Sequence, residues 1–416
     1  MNTTPNSNRK HIAIYGKTNA GKSSLINKIL GQDISIVSEL KGTTTDPVSK
    51  AMELIPLGPV LFIDTAGLGD NSELGALREN KTLNIMKRTD FALYVMDIND
   101  LDMKSYEEAR LNFKKYNIPH LLVINKIDTG EKNVLKALRD KSTPGIISST
   151  INSKGVEALR SKLAGGILVS TISGEGIEEL KEKLVEKLKE DEKELPIVGD
   201  LLPYNSKVIL VVPVDSEAPK GRIILPQVQC IRDCLDHGIK SYVVRDTELE
   251  SALKDIKDVD LVITDSQAFK RVSKIVPSNI KLTSFSILFA RHKGDLSAFV
   301  EGANKVNELN KDSKILISES CSHNISHEDI GRIKIPMMLN KHVGFDLNYE
   351  YRVGHDFPED IEKYDLIIHC GACMINRKTV LNRIDMCKDK GVAITNYGVI
   401  MAYLTGILDR TLCIYN

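Results

Sequence analysis

Apolar residues fall into short blocks along the whole chain, and the spacing inside each block predicts its element. Residues 11–16, "HIAIYG", read as a strand, break into a glycine-bearing loop, and run on into a helical pattern, "SSLINKILG". Strand-like runs follow at "VLFIDTAG", "FALYVMDIND" and "HLLVINKID", separated by helical stretches. Strands alternating with helices predict a parallel sheet covered on both faces. The pattern returns at "KVILVVPVD", "SYVVRD" and "LVITD", with helices expected near 226–237, 248–256 and 266–276. A last block runs from "LTSFSILFARHKGD" to the end, with strands at "KILISES", "DLIIH" and "VAITN". The expected fold class is α/β in three domains, each a largely parallel sheet with helices on its faces. Their expected limits are 1–195, 203–280 and 281–416, with "LPIVGDLLPYNS" as a linker.

One stretch repeats itself. "SSTINSKGVEALRSKL" (148–163) is followed by "VSTISGEGIEELKEKL" (169–184), identical at eight of sixteen aligned positions. Each copy reads as strand, loop and helix. Two copies are too few for a solenoid, so the segment 148–184 reads as a duplicated strand–helix unit at the edge of the first sheet. The charged run that follows, "KEKLVEKLKEDEKEL", reads as a solvated helix face.

Composition narrows the classes. A chain of 416 residues exceeds one ordinary core. Lys+Arg and Asp+Glu both total 56, which argues against a large nucleic-acid surface. No apolar run is long enough to span a membrane, and "MNTTPNSNRKH" has no signal-peptide core, so a soluble cytoplasmic protein is expected. Seven cysteines in such a chain favour metal or redox use over structural disulfides.

The glycine loop carries the first chemistry. "GKTNAGKS" (16–23) fits G-x-x-x-x-G-K-[ST] between a strand and a helix. Backbone N–H groups from Gly16 to Gly21 cradle phosphates in such a loop, Lys22 reaches the β/γ oxygens, and Ser23 ligands Mg²⁺, with Ser24 next to it. "DTAG" (64–67) ends a strand: Asp64 can hold a Mg²⁺ water and the Gly67 N–H can meet the γ-phosphate. "GTTTD" (42–46) suits a switch loop whose Thr44 closes on Mg²⁺ and the γ-phosphate. "NKID" (125–128) ends another strand. Asp128 can accept both N–H donors of the guanine edge, which adenine does not offer, with Asn125 and Lys126 in support. Together these favour GTP and GDP over adenine nucleotides.

On these motifs the first 185 or so residues resemble the translation-factor-related GTPases, especially the tRNA-modification and Era-like group. Leu68 stands where Ras-like proteins have a water-positioning Gln, which implies slow hydrolysis. Asn19 stands where potassium-dependent relatives use an Asn to hold K⁺. Such GTPases complete the guanine site with a serine-bearing loop. Either copy of the repeat can supply it, through Ser149-Thr150 or Ser170-Thr171.

The second constellation is C-x-H-x45-H-C-x-x-C: Cys321 and His323 after one strand, His369, Cys370 and Cys373 after another. Ends of parallel strands gather at one edge of a sheet, so the two halves can meet. Three cysteines and a histidine suit zinc, and three thiolates with an exchangeable fourth ligand suit a [4Fe–4S] cluster; spacing does not choose. Cys230 and Cys234, one helical turn apart, read as core. Cys387 and Cys413 read as inert, and His327, His342 and His355 as surface residues.

The whole pattern, with "PIVGDL", "PKGRIILPQVQ", "VITDSQAFK", "LTSFSILFARHKGD", "DIGRIKIP", "IIHCGACMINR" and "TNYGV", resembles the HydF family of [FeFe]-hydrogenase maturation GTPases over nearly the entire length. The resemblance implies a dimerising middle domain and a [4Fe–4S] cluster on Cys321, Cys370 and Cys373, with His323 or His369 as candidate fourth ligand. It also implies a homodimeric scaffold that carries a transient di-iron precursor, made with radical-SAM maturation enzymes, to the apo-[FeFe]-hydrogenase. Neither nucleic acid nor membrane is an expected partner. The sequence departs from the family at C-S-H-N (321–324), where C-T-H-H is common, and in the extra copy of the repeat. The rival reading is an RNA- or ribosome-associated GTPase with a structural zinc site.

Overall fold

The computed structural model describes residues 4–31, 48–65, 82–130, 166–190, 195–213, 223–320, 329–354 and 356–415. The chain forms two compact units, Met1–Glu192 and Lys193–Asn416.

In the first unit, strands β1 (Lys10–Tyr15), β2 (Val48–Leu54), β3 (Gly58–Asp64), β4 (Phe91–Asp97), β5 (His120–Asn125) and β6 (Ile167–Leu168) form one sheet in the order β2-β3-β1-β4-β5-β6. All neighbours are parallel except β2, which returns antiparallel along β3. The period-2 alternation of a strand explains why β1 serves two cores. Ile12 and Ile14 pack with Leu25, Ile26 and Ile29 of helix Lys22–Leu30. Ala13 and Tyr15 face the other layer, with Tyr94 and Phe113. A strand buried on both faces reads as a continuous apolar run, as "HIAIY" does.

The second unit holds two four-stranded, wholly parallel sheets. Strands β7 (Lys207–Val211), β8 (Lys240–Val244), β9 (Leu261–Thr264) and β10 (Lys281–Ser284) run in the order β10-β9-β7-β8. Strands β11 (Lys314–Glu319), β12 (Asn348–Val353), β13 (Leu366–His369) and β14 (Ala393–Asn396) run in the order β12-β11-β13-β14. Helices Leu225–Asp236, Leu249–Asp255 and Phe269–Ile275 lie close to where the periodicity puts them.

A boundary at 280/281 does not match the pairing. Lys281–Ser284 pairs along Leu261–Thr264 and so completes the earlier sheet. Strand β12, "NYEYRV", is an edge strand whose charged Glu350 and Arg352 dilute its apolar content, which hides it in a hydrophobicity pattern. Among the described residues no helix is long and apolar enough to cross a membrane.

Candidate functional site

The first unit gathers its chemistry at the carboxyl ends of its parallel strands, where an open α/β sheet places ligands. Ile14 sits opposite Asp64 on β3, and Asp97 at the end of β4 sits opposite Asn125 on β5. The loop leaving β1 runs between them. Gly16 has φ +139°, and a Cβ there would lie 2.2 Å from the Val95 carbonyl oxygen. Only glycine lets the loop lie that close to β4.

Lys22 opens the helix that follows and is buried. Its ammonium donates to the Gly16 carbonyl at 3.0 Å and the Lys17 carbonyl at 2.8 Å. Burial lowers its pKa, against the opposing pull of Asp64. A buried cation held only by loop carbonyls is suited to exchange them for phosphate oxygens. Ser23 Oγ donates to Asp64 Oδ2, while Asp64 Oδ1 is buried with no hydrogen-bond partner among the described residues. A hydroxyl and an orphaned carboxylate oxygen side by side fit Mg²⁺ and its water.

Asn125 is fully buried and acts as a brace. Its Nδ2 donates to the Ala20 carbonyl at 3.0 Å, and its Oδ1 accepts from the Thr171 N–H at 3.3 Å. One side chain therefore ties the phosphate loop to the loop after β6. Asp128 is exposed, and its Oδ1 accepts from Ser170 Oγ. The Ser170 hydroxyl also accepts from the Ser173 N–H at 3.0 Å. Ser170 and Thr171 belong to the second copy of the repeat, so it is this copy that the structure brings to Asp128. The docking is a sheet interaction: Val123 pairs with Ile167, and the Val169 N–H donates to the Ile124 carbonyl at 2.8 Å. The first copy, with Ser149-Thr150, lies outside the described residues.

Lys126 has φ +64° and pairs with Asp97 at 2.6 Å, so it stiffens the base loop from below. Asn19, φ +65°, lines a cleft of about 150 Å³ with Lys17, Asp97 and Asp100. Lys17 bridges Asp100 and Asp102, each at 3.0 Å. Thr44, Gly67 and Leu68 lie outside the described residues.

The cysteine constellation belongs to the second unit. Strands β11 and β13 are parallel neighbours, with Ser318 opposite His369. The Cys370 N–H continues the ladder to the Ser318 carbonyl at 2.9 Å. Cys370 Sγ lies 3.0 Å from the Ser320 nitrogen and 2.9 Å from Ser320 Oγ. Ser320 directly precedes Cys321 in the chain. Cys321 and His323 themselves lie outside the described residues.

Burial pushes the Cys370 thiol up, while the Ser320 hydroxyl and the N–H groups of Ala372 and Ser320 pull it back. Three donors converging on one sulfur suit a thiolate bound to metal, since hydrogen bonds to sulfur stabilise its charge. Between the cysteines, Ala372 adopts φ +56° and Gly371 is open on its Cβ side. The buried Lys293 holds this turn, donating to the carbonyls of Ala372 at 3.0 Å and Ile375 at 3.1 Å. Cys370 and Cys373, two of the thiols a cluster would need, thus flank one turn. Among the described residues, which do not include Cys321, no group of three or more His, Cys, Asp or Glu side chains that could hold a metal ion occurs.

His369 is placed differently from a free ligand. Its Nδ1 lies 2.8 Å from the Cys370 carbonyl, which can only accept. Its Nε2 lies 2.8 Å from an Arg383 guanidinium nitrogen, which can only donate. Nδ1 therefore carries the proton, Nε2 accepts, and both nitrogens are engaged. Burial, with Arg383 beside it, pushes the ring's pKa down to about 3, so it is neutral. In this arrangement His369 orients the Cys370 backbone, and it could ligand a metal only by giving up one of these bonds. Lys293 and Arg383 escaped the motif search. Arg383 left a trace: with Val380, Ile384 and Cys387 it lies on the buried stripe of helix Arg377–Asp389.

Comparison with known proteins adds a second line. Residues 11–126 match the family model of a 50S ribosome-binding GTPase. Der of Persephonella marina is 35% identical over 161 residues, covering 35% of this chain and 36% of its own length. MnmE of Legionella pneumophila (strain Paris) is 41% identical over 121 residues, 28% of this chain and 27% of its own. The chain thus spans only about a quarter to a third of these curated relatives. Among solved structures, Era of Aquifex aeolicus with GDP and aluminium fluoride is 26% identical with a TM-score of 0.32, covering 42% of this chain and 56% of that one. The G domain of the T. maritima FeoB iron transporter is 24% identical with a TM-score of 0.30, covering 42% and 96%. Residues 197–294 match the hydrogen maturase F dimerization domain, and residues 297–414 its tetramerization domain. These two models together account for more than half of the chain, behind a P-loop GTPase domain, and the chain belongs to the HydF family of hydrogenase maturation GTPases.

Proposed function

We propose that this protein is a GTP-hydrolysing scaffold of [FeFe]-hydrogenase maturation. It holds a [4Fe–4S] cluster on Cys321, Cys370 and Cys373. In cooperation with radical-SAM maturation enzymes it carries a di-iron precursor to the apo-hydrogenase. It acts as a homodimer or larger assembly in the cytoplasm.

In the first unit the residues divide the work of hydrolysis. Loop N–H groups and Lys22 hold the β- and γ-phosphates, and Asp128, set by Ser170, takes the guanine edge. Ser23 and Thr44 would hold Mg²⁺, with Asp64 on its water, and the ion would supply positive charge to the phosphates. Water attacks the γ-phosphorus, the bond to the β-phosphate oxygen breaks, and GDP and phosphate leave. Leu68 offers the water no side-chain partner, so hydrolysis is slow, and K⁺ near Asn19 stimulates it. GTP occupancy biases the loops around Thr44 and Gly67, and through them the docking of partners.

In the second unit Cys321, Cys370 and Cys373 would hold the cluster, which would supply iron chemistry for binding the precursor. The chain itself provides the thiolates, the donors at Ser320 and Ala372, and the brace at Lys293. The observation that supports this reading is the 2.9 Å approach of Ser320 Oγ, in the residue before Cys321, to Cys370 Sγ.

The test is EPR of anaerobically reconstituted, dithionite-reduced full chain beside Cys370→Ser, with iron, sulfide and zinc analysis. A reduced [4Fe–4S] signal, lost in the variant, is expected. Stoichiometric zinc without iron in the wild type would sink the reading and favour an RNA- or ribosome-associated GTPase. Activation of apo-hydrogenase by the loaded wild type, and not by the variant, tests delivery.

A further inference from the structure

Among the described residues Arg383 is a buried cation with no anion bonded to it. It is 4% exposed, in the middle of helix Arg377–Asp389. One guanidinium nitrogen donates to Ser318 Oγ at 3.2 Å and His369 Nε2 at 2.8 Å, and the other to the Gly354 carbonyl at 2.9 Å. The Phe357 ring centroid lies 4.8 Å from its central carbon. Every one of these partners is neutral. Burying a guanidinium with no counter-charge is costly, and proteins normally supply one.

The nearby acids do not supply it. Glu319 follows Ser318 on β11 and points to the opposite face of the strand, where it holds Arg332 at 2.9 Å. Asp356 is exposed and lies 3.8 Å from Arg352. Cys387, one turn along the same helix, is driven up to about 12 by burial and stays a neutral thiol. Arg383 instead lies behind Cys370: its guanidinium donates to His369, whose Nδ1–H donates to the Cys370 carbonyl, and to the Ser318 hydroxyl, whose own backbone carbonyl accepts from the Cys370 N–H.

We propose that Arg383 is the buried counter-charge of the cluster held at Cys370, a positioning residue that acts through His369 and Ser318 and through its field. This rests on the cluster reading above. A fixed positive charge at the rear of the site favours the cluster's more negative, reduced state. It also gives His369 a purpose: a neutral link that passes the guanidinium's hydrogen bond to the Cys370 carbonyl while holding the cation off the sulfur.

The experiment is a potentiometric titration, followed by EPR, of the full chain reconstituted anaerobically with ferrous iron and sulfide. It compares wild type, Arg383→Lys and Arg383→Gln, with circular dichroism on each. Arg383→Gln is expected to weaken the preference for the reduced cluster about tenfold, a shift of about 59 mV to more negative potential for a one-electron couple. Arg383→Lys is expected to stay near wild type. A residue that only braced the fold would leave the potential unmoved. An unchanged potential in Arg383→Gln, or the same shift in both variants, overturns the inference while leaving the cluster intact. If Arg383→Gln holds no iron and Arg383→Lys holds it at the wild-type potential, the need for charge stands. If both lose iron or fold, Arg383 is a fold residue and the inference falls. If the wild type itself assembles no cluster, the cluster reading has failed and takes the inference with it.

Discussion

Lys22 and Arg383 are both buried cations bonded only to neutral groups, and their surroundings are built by different means. Lys22 is placed by the backbone. It opens a helix, its loop is shaped by Gly16 against β4 and Gly21 against Asn125 of β5, and both its bonds go to loop carbonyls. Arg383 is placed by side chains and packing. It reaches across to two neighbouring strands from a helix whose register is fixed by Val380, Ile384 and Cys387. A backbone-built site needs a contiguous motif. A side-chain-built site can draw on residues scattered over a whole domain. That is why the phosphate site is compact in sequence and the cysteine site is not.

Substitutions should separate the two designs. The largest effect is expected at Lys22→Ala. Losing the one cation aimed at the phosphates should slow GTP hydrolysis by about 10²–10³-fold with the fold preserved, as read by phosphate release and circular dichroism. An intact rate would break the comparison, because the loop backbone alone would then suffice.

Next is Lys293→Met, which removes the ammonium from the carbonyls of Ala372 and Ile375. Stranding those groups should cost about 1–3 kcal/mol in urea unfolding. It should also weaken retention of reconstituted iron while GTP turnover is unchanged. A smaller effect is expected from Ser170→Ala, which removes the hydroxyl bonded to Asp128 and should weaken GDP affinity by about 1 kcal/mol, while Ser149→Ala should leave it unchanged. Calorimetry on both variants decides which copy serves the base. Equal losses would mean that the base site draws on both.

The smallest effect concerns the sheet that carries the phosphate loop. Burial depresses the pKa of His11, against the pull of Asp90, and that of His120. The unfolded chain therefore takes up protons first as pH falls below 6.5, and stability declines with it. Melting temperature should be lower at pH 5 than at pH 7, and His120→Gln should narrow the gap.

Much of this was legible in the residues, for physical reasons. A strand buried on both faces must be a continuous apolar run, so β1, β4, β5, β7, β9, β11 and β13 stand out. The phosphate loop is legible because its chemistry demands glycine and lysine at fixed spacing. Strand β12 was hidden because an edge strand tolerates charge. Residues 281–284 were read into the last block and not as a strand, because their pairing along β9 is decided by tertiary packing and not by the run itself. The choice between Ser149 and Ser170 depends on which copy docks on β5. His369 was one of two candidate fourth ligands, because a sequence shows a histidine without the partners of its ring nitrogens. Only the flanking carbonyl and guanidinium show that both are engaged. Arg383 itself was visible as a charge on an apolar stripe, a signal that helical periodicity offers without any motif.

The docking of the second copy bears on how such a chain tolerates change. What holds the base loop is a short ladder, Val123 to Ile167 and Ile124 to Leu168, together with the Asn125 brace. Lengthening the connection between β5 and β6 is cheap, since each doubling of a loop adds about 0.6 kcal/mol of closure entropy. A lineage could therefore acquire a spare copy here, keep nucleotide recognition running on one, and leave the other free to drift towards new work.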